Sequence, residues 1–267
     1  MNRWWRAVLV FLGVAAFSWV AQANHSWGSY HWARTSNPFT LNLGDNVSYA
    51  WDPYLGVASS DWSASTVLDT MVIPGTTSSR RCRPSSGRVE VCADTYGNNG
   101  WLGVASIWAS GSHITQATVK MNDSYFNTAK YNTPAWRQFV MCQEIGHTFG
   151  LDHQDDNFSN TNLGSCMDYT SDPSSNQHPN AHDYQQLATI YTHLDSGTTV
   201  SPASAQGAAP PAMSEIDFEG PGQWGRLVRS THNDRLQLFE LDFGGGHKIF
   251  TFVIWADPED AGRGNRR

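Results

Sequence analysis

The sequence predicts an α+β fold, and three features carry that reading. Short runs with period-two alternation lie between residues 30 and 121. A capped helical segment follows up to residue 150, and a second group of alternating runs comes after a linker rich in Ser, Ala, Gly and Pro. The 267 residues suffice for one well-buried domain and a small second unit. Hydrophobic content of 40% beside 15% charged residues places the chain among globular proteins.

The elements follow in order. Tyr30-His31-Trp32-Ala33-Arg34 reads as a strand and leads through Ser36-Asn37-Pro38 to Phe39-Thr40-Leu41-Asn42-Leu43. A weak helical pattern spans Trp51 to Ser65, with Trp51, Leu55, Val57, Ala58 and Trp62 as its inward positions. Val67 to Pro74 reads as a buried strand ended by Pro-Gly. In Arg88 to Tyr96, Val89, Val91 and Ala93 alternate with Glu90, Cys92 and Asp94, a strand pattern. Asn98-Asn99-Gly100 marks a turn, and Trp101 to Ala109 and Ile114 to Met121 are strands on either side of Ser110-Gly111-Ser112.

The clearest helix begins at Asn132-Thr133, which can cap it. Pro134 fits its first position, where a missing N–H costs nothing. Trp136, Phe139 and Val140 repeat with helical spacing, and Gly150 is a natural stop. A last helix is expected from Ala181 to His193, with Tyr184, Leu187, Ile190 and Tyr191 on one face. Residues 196–214 are a flexible linker, 215–256 a small β-rich unit broken by Gly244-Gly245-Gly246, and 257–267 a polar tail.

The first residues carry an export address. Arg3 and Arg6 precede the apolar stretch Ala7 to Val20, and Ala21-Gln22-Ala23 fits a cleavage site. Residues 1–23 are therefore expected to be a signal peptide, the mature domain to span 24–195, and the protein to be secreted. The apolar run is short for a membrane span, and no integral membrane segment is expected in the mature chain. The formal charge of −7 argues against a nucleic-acid binder, which needs a basic face. A monomer is expected. Export makes Cys82, Cys92, Cys142 and Cys166 readable as two disulfides. Three pairings exist, and Cys82–Cys92 would close a short polar loop. Twelve tryptophans are expected mainly in the core rather than along a ligand cleft.

Chemistry concentrates in Cys142-Gln143-Glu144-Ile145-Gly146-His147-Thr148-Phe149-Gly150-Leu151-Asp152-His153. Helical residues four apart share a face, so Gln143 and His147 point the same way with Glu144 beside them. Gly150 lets the chain turn so that His153 returns to the same point. Three protein ligands and a water are the layout of a catalytic zinc site. Zinc lowers the pKa of its water, and a nearby carboxylate takes the proton as hydroxide attacks a carbonyl.

This segment resembles the metzincin signature H-E-x-x-H-x-x-G-x-x-H, matched at every fixed position but the first, where Gln143 replaces His. Gly164-Ser165-Cys166-Met167-Asp168-Tyr169 resembles the metzincin Met-turn, whose methionine floors the metal. Tyr169 stands where the astacin and serralysin branches have a tyrosine that helps stabilise the developing oxyanion. The element order from Tyr30 to Leu194 is similar to that of a matrixin-like catalytic domain. The resemblance implies a metzincin-like zincin domain with a five-stranded mixed twisted sheet, an active-site helix, the Met-turn and a C-terminal helix.

It also implies Zn²⁺ held by Gln143, His147 and His153, Glu144 as general base, and Tyr169 as its catalytic partner. In such a fold the Met-turn passes under the active-site helix, which implies a Cys142–Cys166 bridge. The fourth strand would be an antiparallel edge on which substrate adds as a strand. By order that edge is Trp101 to Ala109, including Trp101, Gly103, Val104, Ala105 and Ser106. The implied activity is a secreted zinc-dependent endopeptidase acting on proteins or peptides.

Gln143 departs from the pattern, because a neutral amide oxygen is a harder and poorer zinc ligand than imidazole. It can ligate weakly, leave more of the work to Tyr169, or mark a site that has lost metal and become a binding module for peptides or surfaces. His113, between two strands, reads as a loop histidine rather than a cleft residue. His178, His182 and His193 surround the terminal helix. Asp155, Asp156, Asn157 and Asn160 offer oxygen ligands for Ca²⁺, although the full loop signature is absent and a solvated acidic loop is the simpler reading.

Overall fold

A computed structural model describes residues 24–158, 160–200, 210, 212–215, 220–230 and 234–260. The expected signal peptide, most of the linker and the end of the tail lie outside these residues.

Three apolar positions of β2 (Phe39–Asn46), namely Phe39, Leu41 and Leu43, alternate into the core. After α1 (Asp52–Trp62), β3 (Leu68–Pro74) runs parallel to β2 as the outermost strand. Its place at the rim corrects the expectation of a buried strand: Met71 and Val72 are 53% and 38% exposed. Helix α1 buries Leu55, Ala58, Ser59 and Trp62, while Val57 falls outside that face and is exposed. The short strand β1 (His31–Trp32) and β4 (Val89–Asp94) both run parallel to β6 (His113–Asn122). On the other side of β6, β5 (Trp101–Ser110) is antiparallel.

Four-residue α2 (Asp123–Phe126) leads to α3 (Pro134–His147). Thr133 caps α3 by accepting from the Trp136 amide, and Pro134 opens its first turn. Every residue from Trp136 to His147 is buried. Two glycines permit this. A Cβ at Gly103 on β5 would meet Val140 Cγ1 at 2.6 Å, and one at Gly146 would meet Met167 Sδ at 2.6 Å and the Trp62 ring at 2.7 Å. Gly150 has φ +96°, the left-handed turn that ends the helical segment.

A helix end so deeply buried needs donors for its carbonyls. Indoles supply two of them, Trp27 Nε1 donating to the His147 carbonyl at 3.1 Å and Trp32 Nε1 to Thr148 at 2.8 Å, while Trp62 Nε1 donates to the Cys142 carbonyl further inside the helix at 3.1 Å. Eight of the nine tryptophans among the described residues are buried, so their use is packing and carbonyl satisfaction. The disulfides are Cys82–Cys92 and Cys142–Cys166, the second tying α3 to the loop that carries Met167.

Helix α4 (Ala181–Ile190) starts in a capping box made by Asn180 and Asp183 and ends three residues earlier than expected. Beyond it, β7 (Arg226–Ser230), β8 (Leu236–Asp242) and β9 (His247–Trp255) form an antiparallel set. This set does not stand apart as a separate unit. β9 pairs antiparallel with β5 along its length, so the sheet has nine strands rather than five. The path is β3-β2-β4-β6-β5-β9-β8-β7, with β1 beside β6. The physical reason is two-sided burial. Phe250, Phe252 and Ile254 of β9 enter the core shared with α3, while Ile249 and Val253 join Trp101, Trp108 and Trp224 on the opposite face. A small isolated β set could not bury both faces.

Asp183 sits under the Met167 loop, accepting from the Ser165 hydroxyl at 2.6 Å and the Asn180 amide at 2.7 Å. Burial outweighs these bonds and pushes its carboxyl up to about 6. The folded protein therefore holds this proton more tightly than the unfolded chain. The stability it contributes is complete below about pH 4 and is lost as pH rises through about 6. Urea unfolding at pH 4.5 and pH 7 is expected to show a smaller loss of stability with rising pH in Asp183→Asn than in wild type.

Candidate metal centre and active site

The last turns of α3 carry Gln143, Glu144 and His147, and the turn at Gly150 brings His153 back to them. The His147 and His153 rings lie 4.4 Å apart, edge to face. His147 Nδ1 donates to the Leu151 carbonyl at 2.9 Å, which leaves the lone pair of the neutral ring on Nε2. The Tyr169 hydroxyl donates to His153 Nε2 at 2.9 Å, with the two rings stacked at 4.3 Å and Phe158 stacked behind Tyr169. Gln143 Nε2 donates to the Cys166 carbonyl at 3.0 Å, and Met167 packs under Gly146. The residues singled out in the sequence thus meet in one buried place. Glu144 stands on its β5 side, hydrogen-bonded to the Ala105 backbone.

Burial sets the electrostatics here. It pushes the Glu144 carboxyl well above the usual range against the pull of the Ala105 backbone, and it raises the Tyr169 hydroxyl well above its ordinary value. It pulls His147 well below the imidazole range, helped by neighbouring His153. Asp152 goes the other way. Burial alone would raise it, but hydrogen bonds from His153 and Arg229 hold its carboxyl well below the usual range.

Whether these residues fit a zinc ion can be judged from their unpaired atoms. Gln143 Oε1 and Glu144 Oε2 are buried and accept no hydrogen bond. With Nε2 anchored on Cys166, the amide presents its oxygen to a place without a donor, a cost of about 1–3 kcal/mol unless a cation or water fills it. Two imidazoles and an amide oxygen are a workable donor set for zinc, looser than three imidazoles. The site fits the ion.

Asp152, Arg229, Trp27 and Phe252 also belong to this place. Asp152 Oδ1 lies 3.3 Å from His153 Nδ1 and orients that ring, as the outer partners of metal-bound histidines do. Arg229 from β7 grips the Asp152 carboxylate with both terminal nitrogens. The Phe252 ring stacks flat on His147 at 4.2 Å, with Trp27 at its edge. Asp152 was visible as a carboxylate next to a candidate ligand. Arg229 and Phe252 carried no signal, since they arrive from strands distant in sequence.

Other expected positions differ. Trp101, Gly103, Val104, Ala105 and Ser106 do not form a free edge, because β5 lies between β6 and β9 with Ala105 opposite Phe252. His113 is neither in a loop nor in the cleft: it starts β6 and faces Asp195. In the acidic loop Asp155 spends one oxygen on the Asn157 amide and the other on Asn160 Nδ2, and Asp156 is exposed. His178 pairs with Asp61, and His182 stacks on His25.

No family model matches the sequence, and no curated protein matches it. Among solved structures the chain is similar to high choriolytic enzyme 1, a hatching enzyme zinc-protease from Oryzias latipes (Medaka fish). The TM-score is 0.35 and the identity 11%, over 62% of this chain and 96% of that one. It is also similar to myroilysin, with TM-score 0.33 and 13% identity over 60% of this chain and 86% of that one. At these values the functional conclusion rests on the site's own residues.

The role of Asp152 is open to test. Asp152→Asn is expected to weaken zinc binding by about 10–100-fold without abolishing it. Competition with a chelating dye measures this, and unchanged affinity would remove Asp152 from the site.

Proposed function

We propose that the chain is an exported zinc-dependent endopeptidase. One observation carries this reading: two buried acceptor oxygens without a donor, Gln143 Oε1 and Glu144 Oε2, lie on the same helix as His147, whose ring meets that of His153. A buried acceptor without a donor calls for an explanation, and a bound cation supplies one here.

Gln143, His147 and His153 would hold the ion. Zinc, when bound, supplies Lewis-acid polarisation of a carbonyl and lowers the pKa of a water. The chain's own groups do the rest. Glu144 is placed to take a proton from the attacking water and return it to the leaving amine. The Tyr169 hydroxyl, already directed at His153 Nε2, can turn its hydrogen to the oxyanion that develops at the scissile carbonyl. Asp152 keeps His153 in the ligating tautomer. Met167 closes the floor under α3. A peptide would bind as a strand on β5, which requires β9 to be displaced from it.

The test combines metal content with cleavage. His147→Ala is expected to bind one zinc fewer per chain than wild type, whereas Gln143→His and Gln143→Glu keep that zinc. Wild type is expected to cleave members of a mixed peptide library slowly. A chelator should stop it, and Glu144→Ala should lower the rate about 100-fold or more. No cleavage by zinc-loaded wild type or zinc-loaded Phe252→Ala would overturn the peptidase reading and favour a binding module for peptides or surfaces.

A further inference from the structure

Three imidazoles and a carboxylate meet at a second place, where the two ends of the domain come together. The parallel pairing of β1 with β6 sets His31 opposite His113, and the chain leaving α4 adds His193 and Asp195. The Nε2 atoms of His113, His31 and His193 lie 3.2, 3.4 and 3.7 Å from Asp195 Oδ1. His31 Nε2 and His193 Nε2 are 3.1 Å apart. The rings of His113 and His193 stand nearly perpendicular to that of His31, at 87° and 86°.

With neutral histidines, the contact of His31 Nε2 with Asp195 Oδ1 has no proton. His31 Nδ1 is 2.8 Å from the Ser29 carbonyl, which can only accept, so the ring proton is on Nδ1 and Nε2 presents a lone pair. That lone pair faces another imidazole nitrogen and a carboxylate oxygen. Asp195 Oδ2 is already engaged, accepting from Arg34 Nη1 at 2.8 Å and from the Arg34 amide at 3.1 Å. Its Oδ1 is left to the three histidines. A tetrahedral ion with bonds of about 2.0–2.1 Å spaces its donors about 3.3 Å apart, close to the 3.2 and 3.4 Å that separate Asp195 Oδ1 from His113 and His31. The second-shell bonds that metal ligands need, His31 to Ser29 and Asp195 to Arg34, are in place.

We propose that His31, His113 and Asp195, whose ligand atoms lie within 4.8 Å of one another, bind a second divalent transition ion of the zinc class, separate from the site on α3, with the exposed His193 side chain turning in as the fourth ligand. Four protein ligands leave no open position, so the role is structural. The ion would clamp the N-terminal strand, the start of the central strand β6 and the segment after α4. The half-exposed His193 side chain, 55% accessible, opens the site to solvent and gives the ion its path.

Cobalt provides the probe. His147→Ala weakens the first site and leaves the second, so metal-free His147→Ala is expected to take up one Co²⁺ with the strong visible absorption of four-coordinate cobalt. Zinc is expected to raise its melting temperature. Adding His193→Ala, which removes a surface side chain, should weaken binding at least tenfold and abolish the thermal gain, and Asp195→Asn should do the same. If His147→Ala binds no ion more tightly than His147→Ala/His193→Ala, or if zinc leaves its melting unchanged, the cluster is an imidazolium–carboxylate network and the proposal fails.

A different observation carries a second inference, which rests on the peptidase reading. β9 lies on β5 as an added antiparallel strand, and Phe252 stacks on His147. Arg229 of β7 grips Asp152, the residue that orients His153. Both contacts fall on the site itself. We infer that β7–β9 form a built-in inhibitor that occupies the substrate strand's place and must leave β5 before a peptide binds.

Two opposite changes test this in the full mature chain. Phe252→Ala and Arg229→Ala loosen the cover. Ser106→Cys/Thr251→Cys locks it, since these hydroxyls face each other at 3.3 Å across β5 and β9. Binding of a fluorescent hexapeptide hydroxamate and cleavage of a fluorogenic peptide are read at equal zinc content. Loosened variants should bind the hydroxamate at least tenfold tighter than wild type, and the locked variant weaker. Tighter binding without cleavage in any variant keeps the inhibitor and removes the peptidase. Equal binding in loosened, locked and wild-type protein overturns the inhibitor.

Discussion

The structure depends on the burial of α3. A helix closed in from Trp136 to His147 has sheet on one side and the Met167 loop with α1 on the other, and it can sit there only because its neighbours approach closely. Gly103 removes a side chain from β5 where Val140 and Glu144 press against it. Gly146 does the same for Met167 and Trp62. The Cys142–Cys166 bridge then holds the loop to the helix, which limits how far these surfaces can separate when the chain unfolds.

Such burial is costly for polar groups, and the costs are met unevenly. The carbonyls at the helix's end find indole donors in Trp27 and Trp32. The Met167 loop is knitted by Ser165, Asp168, Asn176 and Asp183. Gln143 Oε1 and Glu144 Oε2 are left without partners in the same interior. Asp168 Oδ1 and Asp183 Oδ1 at that loop also lack a hydrogen-bond partner, so what sets the α3 pair apart is its place on the helix that carries His147, a proposed metal ligand.

The C-terminal strands follow from the same logic. β5 carries apolar side chains on both faces, so whatever completes its open edge must also be apolar on both faces. β9 meets this with Phe250, Phe252 and Ile254 on one side and Ile249 and Val253 on the other. The register that satisfies packing puts Phe252 opposite Ala105 and against His147. Stability and access to the site are thereby coupled, because the contact that completes the core also covers the candidate centre.

The sequence by itself determined the local elements and the candidate chemistry. Thr133-Pro134 and Gly150 bracket α3 because capping, proline geometry and left-handed turns are local properties. The spacing of Gln143, Glu144 and His147 is a consequence of helix pitch, legible without a fold. Tertiary structure alone decided the rest. Met71 and Val72 are apolar yet exposed because β3 ends the sheet. His113 serves a cluster built with His31, His193 and Asp195, whose members come from three distant segments. The edge on β5 is closed by residues more than a hundred positions away. Strand neighbours, and the side chains they deliver, depend on which surfaces bury each other, and no local pattern encodes that choice.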